Sequence, residues 1–105
     1  MYDEFISVYK ALADETRLKI IDMLSCGEMC ACEILEYFHI TQPTLSYHMK
    51  ILTECGLVKG RKDGSWMRYS LNNELVDSLN IFWNGLTTKK EEACICNSSK
   101  EISKS

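Results

Sequence analysis

No stretch of this sequence approaches the roughly 20 consecutive apolar residues of a membrane-spanning helix, so no membrane partner is expected. Its first fifteen residues, MYDEFISVYKALADE, are acidic and amphipathic, unlike a secretory signal, and the expected location is the cytoplasm. There is no Cys-x-x-Cys, no Ser/His/Asp set and no phosphate-cradling glycine loop. Strand and helix patterns do not alternate and nothing repeats, so the chain does not read as an enzyme or an array. Histidine is scarce (His39 and His48 only), and Pro43 is the single proline. An overall basic excess is also missing, since the net charge is −3.

What is present is enough for one domain. The chain has 105 residues, 46% of them hydrophobic. A chain this short buries only about 60–70% of its unfolded surface, so a dimer would help it. The charge is unevenly placed. Between positions 41 and 70, Lys50, Lys59, Arg61, Lys62 and Arg68 face only Glu54 and Asp63. A basic patch on an acidic body is still an electrostatic footprint for nucleic acid. The six cysteines are many for a small cytoplasmic protein. Disulfides are disfavoured in that compartment, which leaves metal binding or redox sensing.

The stretch 41–56, TQPTLSYHMKILTECG, predicts an amphipathic helix. Thr41 can cap its start, and Pro43 falls in the first turn, where a missing N–H costs nothing. Leu45, Met49 and Leu52 form the buried stripe, and Gly56 suits a left-handed stop. The other face carries Gln42, Thr44, Ser46, Tyr47 and Lys50, side chains suited to base edges and phosphate oxygens. Segments 57–62 and 65–71 flank Asp63-Gly64, a hairpin signal. Met67, Tyr69 and Leu71 point to one side, with Trp66, Arg68 and Ser70 on the other. Arg61, Lys62 and Arg68 make the hairpin basic, so helix and hairpin read as a recognition helix with a wing.

Elsewhere, Tyr2, Phe5, Ile6, Tyr9 and Leu12 trace a first helical stripe that packs against something outside the recognition unit. Asp14 caps a second helix with Leu18, Ile21 and Leu24 inward, and Arg17 is assigned a structural bond. After a turn at 25–28, a helix is expected over 29–38, with Ile34, Leu35 and Phe38 inward. It forms the first half of a helix-turn-helix. Asn72 or Asn73 caps a last helix with Leu75, Leu79, Phe82 and Leu86 at helical spacing, and Val76 and Trp83 widen its apolar band. A band this broad suggests a dimer seam. Residues 1–88 form the domain and 89–105 a polar, flexible tail that carries Cys94 and Cys96.

Four pieces carry a family resemblance: LADETRLKIIDML (12–24), GEMCACEIL (27–35), TQPTLSYHMKILTECGLV (41–58) and RKDGSWMRYSL (61–71). In this order and spacing, over about two-thirds of the chain, the sequence resembles the ArsR/SmtB metalloregulators. Its Cys-Ala-Cys places it nearest their arsenic- and cadmium-responsive branch. The resemblance implies a mainly α, winged helix-turn-helix homodimer with a β-hairpin, whose first and last helices build the dimer interface. It implies a repressor that leaves double-stranded operator DNA when As(III) or Sb(III) binds. The expected DNA contacts are Thr41, Gln42, Pro43, Thr44, Ser46, Tyr47, His48, Lys50, Arg61, Lys62 and Arg68. For His48 a half-buried helix position is the other reading.

Cys30 and Cys32 carry the chemical clue. Residues i and i+2 of an ideal helix point roughly 200° apart, so two such thiols cannot share one ion on an intact helix. Either the helix starts after Cys32 or binding unwinds its first turn. The sequence also departs from the resembled family. Leu35 stands where the common arsenic variant has a third cysteine, the N-terminus has no cysteine, and neither histidine lies in the last helix. Cys94 and Cys96 are the expected partners of the pair, with Cys26 the competitor, and Cys55 belongs to the core. Three thiolates suit As(III) or Sb(III), while four would suit zinc or cadmium. A cadmium- or lead-responsive repressor and a thiol-redox switch therefore stay open as alternatives.

Overall fold

The computed structural model describes residues 2–89; Cys94 and Cys96 lie outside the described residues. The element order is α1 (Asp3–Leu12), α2 (Glu15–Leu24), β1 (Met29–Cys30), α3 (Ala31–Leu35), α4 (Gln42–Glu54), β2 (Val58–Asp63), β3 (Trp66–Leu71) and α5 (Asn73–Thr87). The fold is mainly helical, with a small antiparallel sheet in the order β1-β3-β2. Helices α3 and α4 form a helix-turn-helix, and β2–β3 form its wing.

The starts of α2, α4 and α5 follow their caps. The Asp14 carboxylate accepts from the Arg17 N–H at 3.0 Å, the Thr41 hydroxyl from the Thr44 N–H at 3.3 Å, and Asn72 Oδ1 from the Leu75 N–H at 3.4 Å. Of the two candidate asparagines, Asn72 is the cap. Gly56 takes φ +93° as α4 ends, a value that glycine tolerates without strain.

The core joins Val8 and Ala11 of α1, Ile20 and Leu24 of α2, Ile34 of α3, Leu45, Met49 and Leu52 of α4, and Leu57 and Val58. Burying each large side chain of this set contributes about 1.5–3 kcal/mol. The α1 stripe meets α5 through aromatic rings. Phe5 stacks on Phe82 with centroids 4.2 Å apart, and Tyr9 sits edge-on to Trp83 at 6.3 Å.

Three sequence expectations are corrected. Leu18 is exposed, while Ile20 is fully buried. At 3.6 residues per turn, positions 20 and 24 share a face with Arg17, and 18 does not share one with 24. The expected helix over 29–38 instead opens as strand β1 and keeps only residues 31–35 as α3, because Met29 and Cys30 pair with Tyr69 and Arg68 of β3. Finally, Asp63 pairs with Trp66, so the two-residue turn is Gly64-Ser65, one position later than read. Gly64 holds φ +67° as the first central residue, the place a type II′ turn reserves for glycine.

Candidate DNA-reading helix and thiol site

Helix α4 has two unlike faces. Leu45, His48, Met49 and Leu52 are buried, whereas Thr41, Gln42, Pro43, Thr44, Ser46, Tyr47 and Lys50 are exposed. A cap, a proline in the first turn and an inward apolar stripe thus fix the helix and leave its polar N-terminal half to solvent. His48 is the exception among the residues expected on the DNA side. It is 9% exposed and turned toward α2, where Arg17 Nη1 lies 3.1 Å from His48 Nδ1. Guanidinium only donates, so Nδ1 is the acceptor in this contact. Asp14 Oδ2 lies 4.0 Å from the same nitrogen. Arg17 also donates through Nε to the Ala11 carbonyl, so it braces the last turn of α1 and the inner face of α4, the structural role expected of it. His48 leaves the DNA-facing set and joins this brace.

The wing is less basic than its sequence. Arg61 forks onto Glu28, with Nη2 at 2.8 Å and Nε at 3.3 Å from the two carboxylate oxygens. Arg68 Nε lies 3.0 Å from Asp63 Oδ2. These partners hold both guanidinium groups firmly protonated. Lys59 and Lys62 are exposed and make no ion pair among the described residues.

Cys30 sits at the junction of β1 and α3. Its extended backbone (φ −75°, ψ 147°) makes it the N-cap of α3, and its N–H donates to Glu33 Oε1 at 2.7 Å. Because Cys30 lies outside the helical turn, the divergence of an ideal helix does not apply. The two sulfurs converge to 2.9 Å, Cys30 buried and Cys32 exposed. Neither expected alternative holds: the helix starts at Ala31, before Cys32, and the sulfurs meet without unwinding it. A soft ion bonded to sulfur at about 2.3 Å spans such a gap with both bonds in place.

The pair shares its proton unevenly. Hydrogen bonding from Cys32 pulls the Cys30 thiol below its usual range, helped by the N–H groups at the start of α3 and by the Arg68 charge. The same bond pushes Cys32 upward. Cys30 is thus the readier thiolate, the ligand form of the group. No third Cys, His, Asp or Glu joins them in an ion-holding group among the described residues, which leaves Cys26 apart. Sequence reasoning missed the reciprocal cap. The Cys30-x-x-Glu33 spacing, a capping box with sulfur in the hydroxyl position, was its signal.

Sulfur and reader meet at one hollow of about 320 Å³, bordered by Cys32, Gln42, Ser46, Met49, Met67 and Tyr69 among others. Met67 and Tyr69 face it as their alternation predicts. Trp66, expected on the opposite side, also borders it from the wing tip.

These features define a winged helix-turn-helix regulator with a paired-thiol site under its reader. The description "Bacterial regulatory protein, arsR family" matches residues 14–59. An arsenical resistance operon repressor of Staphylococcus xylosus is 44% identical over 99 residues, 94% of each chain. A CadC homolog of Staphylococcus aureus, a cadmium resistance regulatory protein, is 41% identical over 73 residues, 69% of this chain and 60% of that one. Among solved structures, a homodimeric winged helix-turn-helix DNA-binding domain from Mycobacterium bovis superposes with TM-score 0.67 at 28% identity, covering 77% of this chain and 76% of that one. The chain belongs to the ArsR family of transcriptional repressors, and its relatives are not enzymes. No described helix is long and apolar enough to cross a membrane.

Proposed function

We propose that this protein is a cytoplasmic arsenite- and antimonite-responsive repressor that binds operator DNA as a homodimer and leaves it when thiolates take the metalloid. The observation that carries this reading is the shared hollow: Cys32 borders the same space as Gln42 and Ser46, the candidate base-reading residues. An ion held at Cys30 and Cys32 acts on the cap of α3 and the wall beside the α4 N-terminus together. The cadmium-resistance relative keeps divalent soft metals as the second reading.

In the dimer, two α4 helices enter successive major grooves about one helical turn apart. Gln42, Thr44, Ser46 and Tyr47 read base edges, while Thr41, Lys50, Lys62 and the wing arginines contact phosphate. Cys94 and Cys96 complete the sulfur set from the tail (residues 89–105).

The test is fluorescence anisotropy on an operator duplex recovered by selection, titrated with arsenite. Operator affinity falls about 5–150-fold, the usual span of allosteric coupling. Cys30→Ser or Cys32→Ser removes the response and leaves inducer-free binding intact. Undiminished affinity at saturating arsenite rules out this inducer.

The pH dependence separates the two readings. A thiol that displaces hydroxide from arsenous acid forms an As–S bond and water, with no net proton. A thiol that binds a divalent metal releases its proton. Below the first ionisation of the Cys30–Cys32 pair, arsenite affinity stays flat with pH and cadmium affinity climbs.

A further inference from the structure

The acid partner of Arg61 comes from outside the wing. Glu28 lies immediately before β1, and its carboxylate reaches to Arg61 on β2, at the far edge of the sheet from β1. Cys30 and Arg61 are both register partners of Arg68, so all three stand in one row across the sheet. Directly opposed residues share a face. One short segment, residues 28–30, therefore carries both the readier thiolate and the carboxylate that occupies a wing guanidinium.

We propose that Glu28 is a positioning residue for the wing: its carboxylate competes with DNA phosphate for Arg61 and so sets how firmly the wing grips a duplex. The proposal rests on the DNA-binding reading above. Magnitudes support competition over a structural lock. The Arg61 and Glu28 side chains are 56% and 35% exposed. Ion pairs so exposed contribute little to folding, so this one is readily exchanged for a phosphate contact. Guanidinium also matches phosphate with the same two-pronged geometry it offers Glu28. Asp63 sits inside the hairpin with Arg68 and travels with it, whereas Glu28 belongs to the thiol-bearing segment. A shift of that segment on ligation changes the Glu28–Arg61 distance and leaves the Asp63–Arg68 pair intact.

The experiment uses the reduced full-length protein without inducer and a fluorescent random-sequence duplex, because phosphate contacts carry no sequence information. Glu28→Gln binds several-fold more tightly than wild type. Its plot of log affinity against log salt steepens by about 0.9, the increment for one added phosphate contact. Glu28→Asp keeps the charge and stays close to wild type in slope. In an Arg61→Gln background the effect of Glu28→Gln disappears, which separates competition for Arg61 from simple loss of a negative charge. Thermal melts of the Glu28 variants match wild type. Unchanged affinity and slope in Glu28→Gln, or equal tightening in the Arg61→Gln background, overturns the inference and leaves the DNA reading standing. A wild type that binds no duplex overturns that reading and the inference with it.

Discussion

Helices α4 and α5 are similar in length, 13 and 15 residues, and both are amphipathic, yet α4 buries four side chains and α5 buries none. The difference lies in what surrounds them. Helix α4 is packed by α1, α2 and β2, which close over Leu45, Met49 and Leu52. Helix α5 meets α1 through Phe82 and Trp83, yet Ile81, Trp83 and Leu86 stay at least half exposed. Periodicity says that a helix has an apolar face. It does not say whether the chain itself supplies the cover. For α4 the cover is internal, which frees its polar face for DNA. For α5 the proposed cover is a second copy, and this helix then sets the spacing of two reader helices.

The comparison breaks most visibly at α5. Replacing Ile81 and Trp83 together by Glu is expected to leave a folded monomer. Losing the second half-site then lowers operator affinity by about 10²–10⁴-fold. Analytical ultracentrifugation and anisotropy read the two effects. A variant that stays dimeric places the seam elsewhere.

A core truncation in α4 tests the other side. Leu52 is fully buried, so Leu52→Ala costs about 2–5 kcal/mol in denaturant unfolding. Leu86→Ala, on the open face of α5, changes monomer stability by less than about 0.5 kcal/mol. Equal costs would mean that the two helices are covered alike.

The smallest effects belong to the caps. Thr41→Ala and Asn72→Ala each cost about 0.5–2 kcal/mol. Asn72→Ala is the larger, because Asn72 Nδ2 also donates to the Gly56 carbonyl at 2.8 Å and ties the start of α5 to the end of α4. Thermal melts rank the pair, and the reverse order would show that this tie adds nothing.

The candidate site was partly legible in the sequence. The α4 cap, its first-turn proline and its buried stripe are local, and each appears where residue spacing put it. The sulfur pair was legible as chemistry but not as geometry. Convergence of Cys30 and Cys32 needs Cys30 in an extended conformation, which a partner 38 positions away imposes through the Cys30–Arg68 pairing. His48 reads as a polar residue near the DNA face, and only the guanidinium of Arg17 on another helix turns it into part of a brace. The wing cations read as free charge because no local pattern brings Glu28 beside Arg61.

By itself, the sequence determined the starts of α2, α4 and α5, the wing and the residue types offered to DNA and to a soft ion. Those follow from hydrogen bonds and periodicities within a few residues. Tertiary structure alone decided which thiols meet, which cations are held by acids and which apolar face stays open. Each of these depends on surfaces distant in the chain, and burial and pairing act on what is near in space.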